Sequence, residues 1–186
     1  MSEPPRWELE RYLPLLRVQA RQLHLDPRLR PRFDASDLVG ETLLKACAEL
    51  PGFRGSTEAE LVAWLQQILA NCAIDQVRRE RAGKRDVALE RSLQAAAGES
   101  SARLEAFVRS REPSPSEEAQ QREERRRLGA AIDELPDAER DVVILRKLMG
   151  LPIAAIAEQL GRTKKAVAGL LERGLHRLSK ARPERE

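Results

Sequence analysis

Leu151-Pro-Ile-Ala-Ala-Ile-Ala-Glu-Gln-Leu-Gly-Arg-Thr-Lys-Lys-Ala-Val-Ala-Gly-Leu-Leu171 is the stretch whose reading decides the fold. A short helix ends in Leu160, and Gly161 takes a left-handed corner without steric cost. Thr163 caps a second helix, Val167 packs back on Ile156, and the small Ala157 leaves room for the two helices to cross. This is helix-turn-helix chemistry. Along the second helix Val167, Leu170, Leu171, Gly174, Leu175 and Leu178 group on one side. Opposite them lie Lys165, Gly169, Glu172, Arg173, His176 and Lys180, with Arg162 on the approach. Lysine and arginine contact phosphates or guanine, Glu172 can accept from cytosine, and Gly169 lets the backbone come close. The bland alternative is a solvated helix face, but the turn signature and the charge bias coincide here.

Outward from that motif, the composition points to helices. Aromatics make up only 3% of 186 residues, whereas 41% are hydrophobic and 34% charged. Aliphatic helical cores tolerate that scarcity better than sheets do, and the abundant Ala, Leu, Glu, Arg and Gln favour helix. The expected fold class is all-α. The net charge is +3, but its distribution says more. Arg78–Arg85 holds five basic residues and one acid, and Arg162–Arg182 holds seven and one, while residues 86–121 carry four basic and seven acidic. Two basic foci around an acidic segment suggest two contacts with a polyanion.

Cys47 and Cys72 fall within apolar helical patterns and read as reduced core residues, with no disulfide framework and no ligand spacing. No apolar run approaches the length of a membrane span, and the first residues lack an apolar signal core. A soluble, cytoplasmic protein without membrane insertion is expected. His24 and His176 stand far apart, no glycine-rich phosphate loop occurs, and no nucleophile–base pair or metal spacing is evident. An enzyme, a cofactor and a metal site are therefore not expected.

Before the motif, residues 7–25 show helical spacing, with Pro14 either splitting the segment or starting its main helix. Asp34 is placed to cap a second helix with a buried stripe of Leu38, Val39, Thr42, Leu43 and Ala46, ended by Pro51-Gly52. Thr57-Glu-Ala-Glu60 reads as a capping box opening a third helix that runs to about Arg81, with Gly83 as its stop. That helix is apolar along Leu61, Leu65, Ile68 and Cys72 and again along Ala70, Ile74 and Val77, so neighbours flank it. Between the two lines Trp64, Asn71, Asp75 and Arg78 form a narrow column able to read bases, although Trp64 reads first as a core residue. Asp34, Asp37 and Glu41 near a helix start read first as capping and dipole residues, with a metal or acid–base site as the alternative. From Asp86 the periodicity fails, and Ala95–Gly98 and Arg111–Ser116 read as linker, with room for one short helix near Arg103–Val108. Ser114-Pro-Ser-Glu117 resembles a second capping box. A charged helix then runs to Leu135, and Asp137 is expected to cap the next, apolar at Val142, Val143, Leu145 and Leu148.

Four stretches together resemble the sigma-70 family of RNA polymerase sigma factors, in its extracytoplasmic-function (ECF) group. Asp37-Leu-Val-Gly-Glu-Thr-Leu-Leu-Lys45 is similar to the family's polymerase-clamp helix, and Ala63–Arg79 to the helix that reads the minus-ten promoter element. Leu135–Leu145 and Gly150–Ala157 resemble the region whose helix-turn-helix reads the minus-thirty-five element. The resemblance implies two small helical domains, a bundle at 9–85 and a C-terminal four-helix domain at 122–182, joined by a flexible acidic linker at 86–121. It implies core RNA polymerase and promoter DNA as partners in transcription initiation, and leaves an anti-sigma factor open. Asp37, Leu38, Glu41, Thr42 and Lys45 would meet polymerase. Phe53, Arg54, Trp64, Asn71, Asp75, Arg78 and Arg79 would hold the melted minus-ten strand. Arg162, Thr163, Lys164, Lys165, Gly169, Glu172, Arg173, His176 and Arg177 would enter the major groove. Two departures from the family pattern are Pro152, where Ser or Thr often caps, and Gly169–Gly174 in place of Ser-Arg-Leu-x-Arg-Ala. The rival reading is a stand-alone helix-turn-helix regulator binding as a dimer without polymerase, which has no use for the Asp37–Lys45 and Trp64–Arg79 pair.

Overall fold

Capping chemistry sets where the helices begin. The computed structural model describes residues 7–26, 34–80, 87–108 and 115–181, and every regular element among them is helical. After a 3-10 turn at Leu9–Tyr12, helix α1 spans Leu13–Leu25. Pro14 starts it rather than splitting it, because a missing amide costs nothing in the first turn. Helix α2, Ala35–Glu49, is capped by Asp34, whose Oδ1 accepts from the amides of Ser36 at 2.6 Å and Asp37 at 3.3 Å. A 3-10 turn at Leu50–Gly52 closes it. Helix α3, Glu58–Glu80, opens with the expected box: the Glu60 amide donates to Thr57 Oγ1 at 3.2 Å, and Glu60 Oε2 accepts from the Thr57 amide at 2.9 Å. Arg81 and Gly83 lie outside the described residues, as does Ser114.

The chain divides into two units, Met1–Gly98 and Glu99–Glu186. In the first, both apolar lines of α3 are buried, and Leu16, Leu23, Leu38, Leu61, Leu65 and Leu69 fill the space among α1, α2 and α3. The linker expectation needs correcting over part of its length. Val87–Val108 forms helix α4, and Leu93 and Ala96 are buried in the first unit's core. Ala95-Ala-Ala97 are among the best helix formers, and Leu93 and Ala96, one turn apart, share a face that meets the core. Cys72 is buried as expected, and burial pushes its thiol pKa up. Cys47 is exposed instead.

The second unit contains α5 (Pro115–Asp133), α6 (Asp137–Val143), α7 (Ile153–Gln159) and α8 (Lys164–Ala181). Asp137 is not the cap of α6. Pro136 holds that position without a side-chain bond, and Asp137 sits in the first turn, 3.2 Å from Arg140. α6 widens into a π turn at Ile144–Leu148. Val142, Val143, Ile144 and Leu145 are all buried, and four consecutive residues cover most of a helix circumference, so protein surrounds this segment. Gly161 has φ +61° at the corner between α7 and α8, and Ile156, Ala157 and Val167 are buried around it.

Two glycines should answer alanine in opposite directions. A Cβ on Gly174 would stand 2.8 Å from Val143 Cγ2, whereas one on Gly40 would meet nothing within 4 Å. Gly40→Ala should raise stability by about 0.5–1 kcal/mol. Gly174→Ala should lower it by about 1 kcal/mol, overpacking outweighing the helix gain. Urea unfolding of both variants checks this, and equal signs would contradict the packing described.

Candidate nucleic-acid interface

The residues expected to meet two different partners in the first unit meet each other. Glu41 on α2 accepts from Arg79 Nη2 on α3 through both carboxylate oxygens, at 2.8 and 2.9 Å, and from Gln76 Nε2 at 2.9 Å. Lys45 Nζ donates to Asp75 Oδ2 at 3.1 Å and lies 3.6 Å from Glu41. Burial pushes the Glu41 carboxyl pKa up, but the Gln76 and Arg79 hydrogen bonds and the charges of Arg79 and Lys45 outweigh it and hold the group below its ordinary value. The hydrogen bond to Asp75 raises Lys45 above its own. These four ionic side chains join α2 to α3.

The polymerase-facing set needs a further correction. Leu38 is 0% exposed and Thr42 is equally buried, with the Thr42 hydroxyl donating to the Leu38 carbonyl at 2.7 Å. Both side chains belong to the core and present no exposed surface to a partner in this structure. Asp37 is exposed on the outer side of α2. Seven residues on stands Leu44, 75% exposed, which the sequence reading missed. Its signal was an apolar side chain lying off the buried stripe of its helix.

Phe53 is held in the loop before α3 by two tryptophans. Its ring stacks tilted on Trp64 at 4.8 Å, and Trp7 meets it edge-on at 6.2 Å. A Cβ on Gly55 would lie 2.2 Å from the Phe53 ring, so only glycine lets the loop fold over it. Trp64 is partly buried against the core, as its packing reading expects. Arg54 and Asn71 are exposed, Asn71 accepting from Gln67 Nε2 at 3.0 Å. Arg78 is half-buried, 3.8 Å from Asp75.

In the second unit the cap of α8 forms as expected, with the Ala166 amide donating to Thr163 Oγ1 at 3.1 Å. Arg162, Lys164, Lys165, Glu172 and His176 are exposed. Arg173 and Arg177 are engaged by Glu139 of α6. Arg173 Nε donates to Glu139 Oε1 at 3.4 Å and Arg177 Nε to Oε2 at 3.0 Å. The Nε atoms of both arginines are thus turned toward α6, and Arg173 Nη1 covers Gly169, 3.4 Å from where a Cβ would stand. That space is taken by the guanidinium and is not left open for backbone approach. Among the described residues no group of three His, Cys, Asp or Glu could hold a metal ion, and no helix is long and apolar enough to cross a membrane.

Comparison with known proteins agrees with this division. The family description "Sigma-70 region 2" matches residues 9–83, and "Sigma-70, region 4" matches residues 125–178. Two curated relatives, both described as ECF RNA polymerase sigma factor SigG, come from Mycobacterium tuberculosis strains CDC 1551 and H37Rv. Each is 31% identical over 158 residues, covering 81% of this chain and 42% of the relative. The chain thus spans less than half the length of the curated relatives it matches.

The Glu41–Arg79 pair makes a measurable claim. Exposed pairs of this kind couple by about 0.5–1 kcal/mol. A double-mutant cycle of Glu41→Gln and Arg79→Gln, read by urea unfolding, should give a coupling of that size at neutral pH. A carboxylate whose folded pKa is depressed contributes stability that is present above its ordinary value, 4.5 here, and lost as pH falls through the folded one. The coupling should therefore fade in acid below 4.5. Zero coupling at neutral pH would remove the network from the account of the α2–α3 contact.

Proposed function

The chain belongs to the sigma-70 family, in its extracytoplasmic-function group, and from that premise we propose that it binds core RNA polymerase and directs it to promoter DNA. The observation that carries this reading is the presence of both family regions, in order, each on its own helical unit. Polymerase performs the nucleotide chemistry, and this chain supplies recognition.

The outer side of α2, with Asp37 and Leu44, meets the polymerase clamp. Glu41 and Lys45 hold that helix against α3 and act on the partner only through it. Arg54, Asn71 and Arg78 take the melted minus-ten strand, for which unstacking costs a few kcal/mol that new stacking and phosphate contacts offset. Phe53 and Trp64 shape the loop on which that strand lies. On α8 the exposed Arg162, Lys164, Lys165, Glu172 and His176 face the major groove of the minus-thirty-five element, since the early residues of a recognition helix contact base edges.

Asp37→Arg with Leu44→Glu changes two exposed side chains and should leave helicity intact while abolishing co-purification with core polymerase. Undiminished binding to polymerase would overturn the α2 assignment. Asn71→Ala should leave duplex affinity unchanged and reduce permanganate reactivity of the promoter in the holoenzyme, and an unaltered footprint would remove Asn71 from the strand-capturing set.

A further inference from the structure

Glu139 is a nearly buried carboxylate, its side chain 7% exposed, that binds two arginines one helical turn apart, each 60% exposed. Both are held through Nε. With Nε taking that contact in both, the Nη groups of these largely exposed guanidiniums remain available as donors with the planar geometry that suits phosphate oxygens. The carboxylate itself has little freedom. It rises from a buried position on α6, and Gly174 lets α8 approach so closely that a Cβ there would lie 3.6 Å from Glu139 Cβ. The neighbouring Arg140 does not compete for Glu139, since it turns to Asp137 at 3.2 Å and to the Leu135 carbonyl at 2.8 Å. Gly169 keeps clear the space that the Arg173 guanidinium crosses.

We infer that Glu139 is a positioning residue for a phosphate clamp, fixing Arg173 and Arg177 so that their Nη groups meet the sugar–phosphate backbone of duplex DNA beside α6. This rests on the reading of α8 as the duplex-binding helix and adds a division of labour within it. Two guanidiniums and one carboxylate leave the cluster with a single net positive charge, so it still attracts phosphate. Its place beside α6, late in the helix, suits contacts that set register and orientation, whereas base edges are read from the early residues of the helix. Simple charge counting predicts the opposite role for Glu139, because an acid beside DNA repels it. The two accounts therefore differ in the sign of one mutation.

The test is anisotropy titration of the full-length chain with a fluorescent mixed-sequence duplex over a series of salt concentrations. Arg173→Ala and Arg177→Ala should each lower the salt slope by about one. Glu139→Gln removes a negative charge, yet should weaken binding about three- to tenfold at fixed salt, since loosened arginines lose their fork geometry. In the Arg173→Ala/Arg177→Ala background the same change should have no further effect. Tighter binding by Glu139→Gln, or an equal loss in the arginine-free background, overturns the proposal. The double variant Arg173→Lys/Arg177→Lys keeps every charge on exposed positions and does not depend on how Glu139→Gln folds. It should also lose about tenfold, and unchanged affinity would reduce the cluster to net charge. Lys165→Ala separates the two levels of the argument. If it weakens binding while Glu139→Gln tightens it, only the clamp falls; if the unmodified chain binds no duplex, the reading of α8 falls with it.

Discussion

A carboxylate gripping an arginine from another helix is the interaction on which the exposed surface of both units depends. Glu41 holds Arg79 across α2 and α3, and Glu139 holds Arg173 and Arg177 across α6 and α8. The aliphatic cores bring these helices together, since burying a Leu or Ile side chain contributes about 1.5–3 kcal/mol and an exposed ion pair much less. The ionic contacts then decide which way the long side chains point. Basic residues that look equivalent along the sequence become two kinds: those anchored to an acid, and those such as Arg54, Lys164 and Lys165 that stand exposed.

Much of this was legible in the sequence, because local chemistry carries it. The Gly161 corner, the Thr163 cap, the Thr57–Glu60 box and the Asp34 cap each involve residues within a few positions of one another, and all formed as expected. The two buried lines of α3 followed from periodicity. Pairings across helices were not legible: Glu41 and Arg79 are 38 residues apart, as are Glu139 and Arg177, and periodicity does not tell how one helix is rotated against another. Leu38 was assigned to a partner by its place in a motif, although the buried stripe it shares with Val39 and Thr42 already placed it inside. Most of α4 was not legible because its buried Leu93 and Ala96 stand among alanines and charged residues that set up no sustained apolar period.

The second unit seats α8 on small residues. Gly174 leaves α8 without a side chain where it crosses α6, and the buried Ala157 of α7 carries only a methyl group. Close crossing is what brings Glu139 within reach of two successive turns of α8. The packing glycine and the buried acid are thus one device, since a larger residue at 174 would push the helix away and leave a desolvated carboxylate without its guanidiniums, a costly state.

The aromatic loop has an optical consequence. The chain contains two tryptophans, and both pack against Phe53. Its intrinsic fluorescence therefore comes wholly from the first unit, from indoles on either side of one ring. A rearrangement of the 53–56 loop alters the surroundings of both indoles, whereas events confined to α7 and α8 leave those surroundings unchanged. The protein carries a built-in reporter that distinguishes engagement of one unit from engagement of the other without an attached dye.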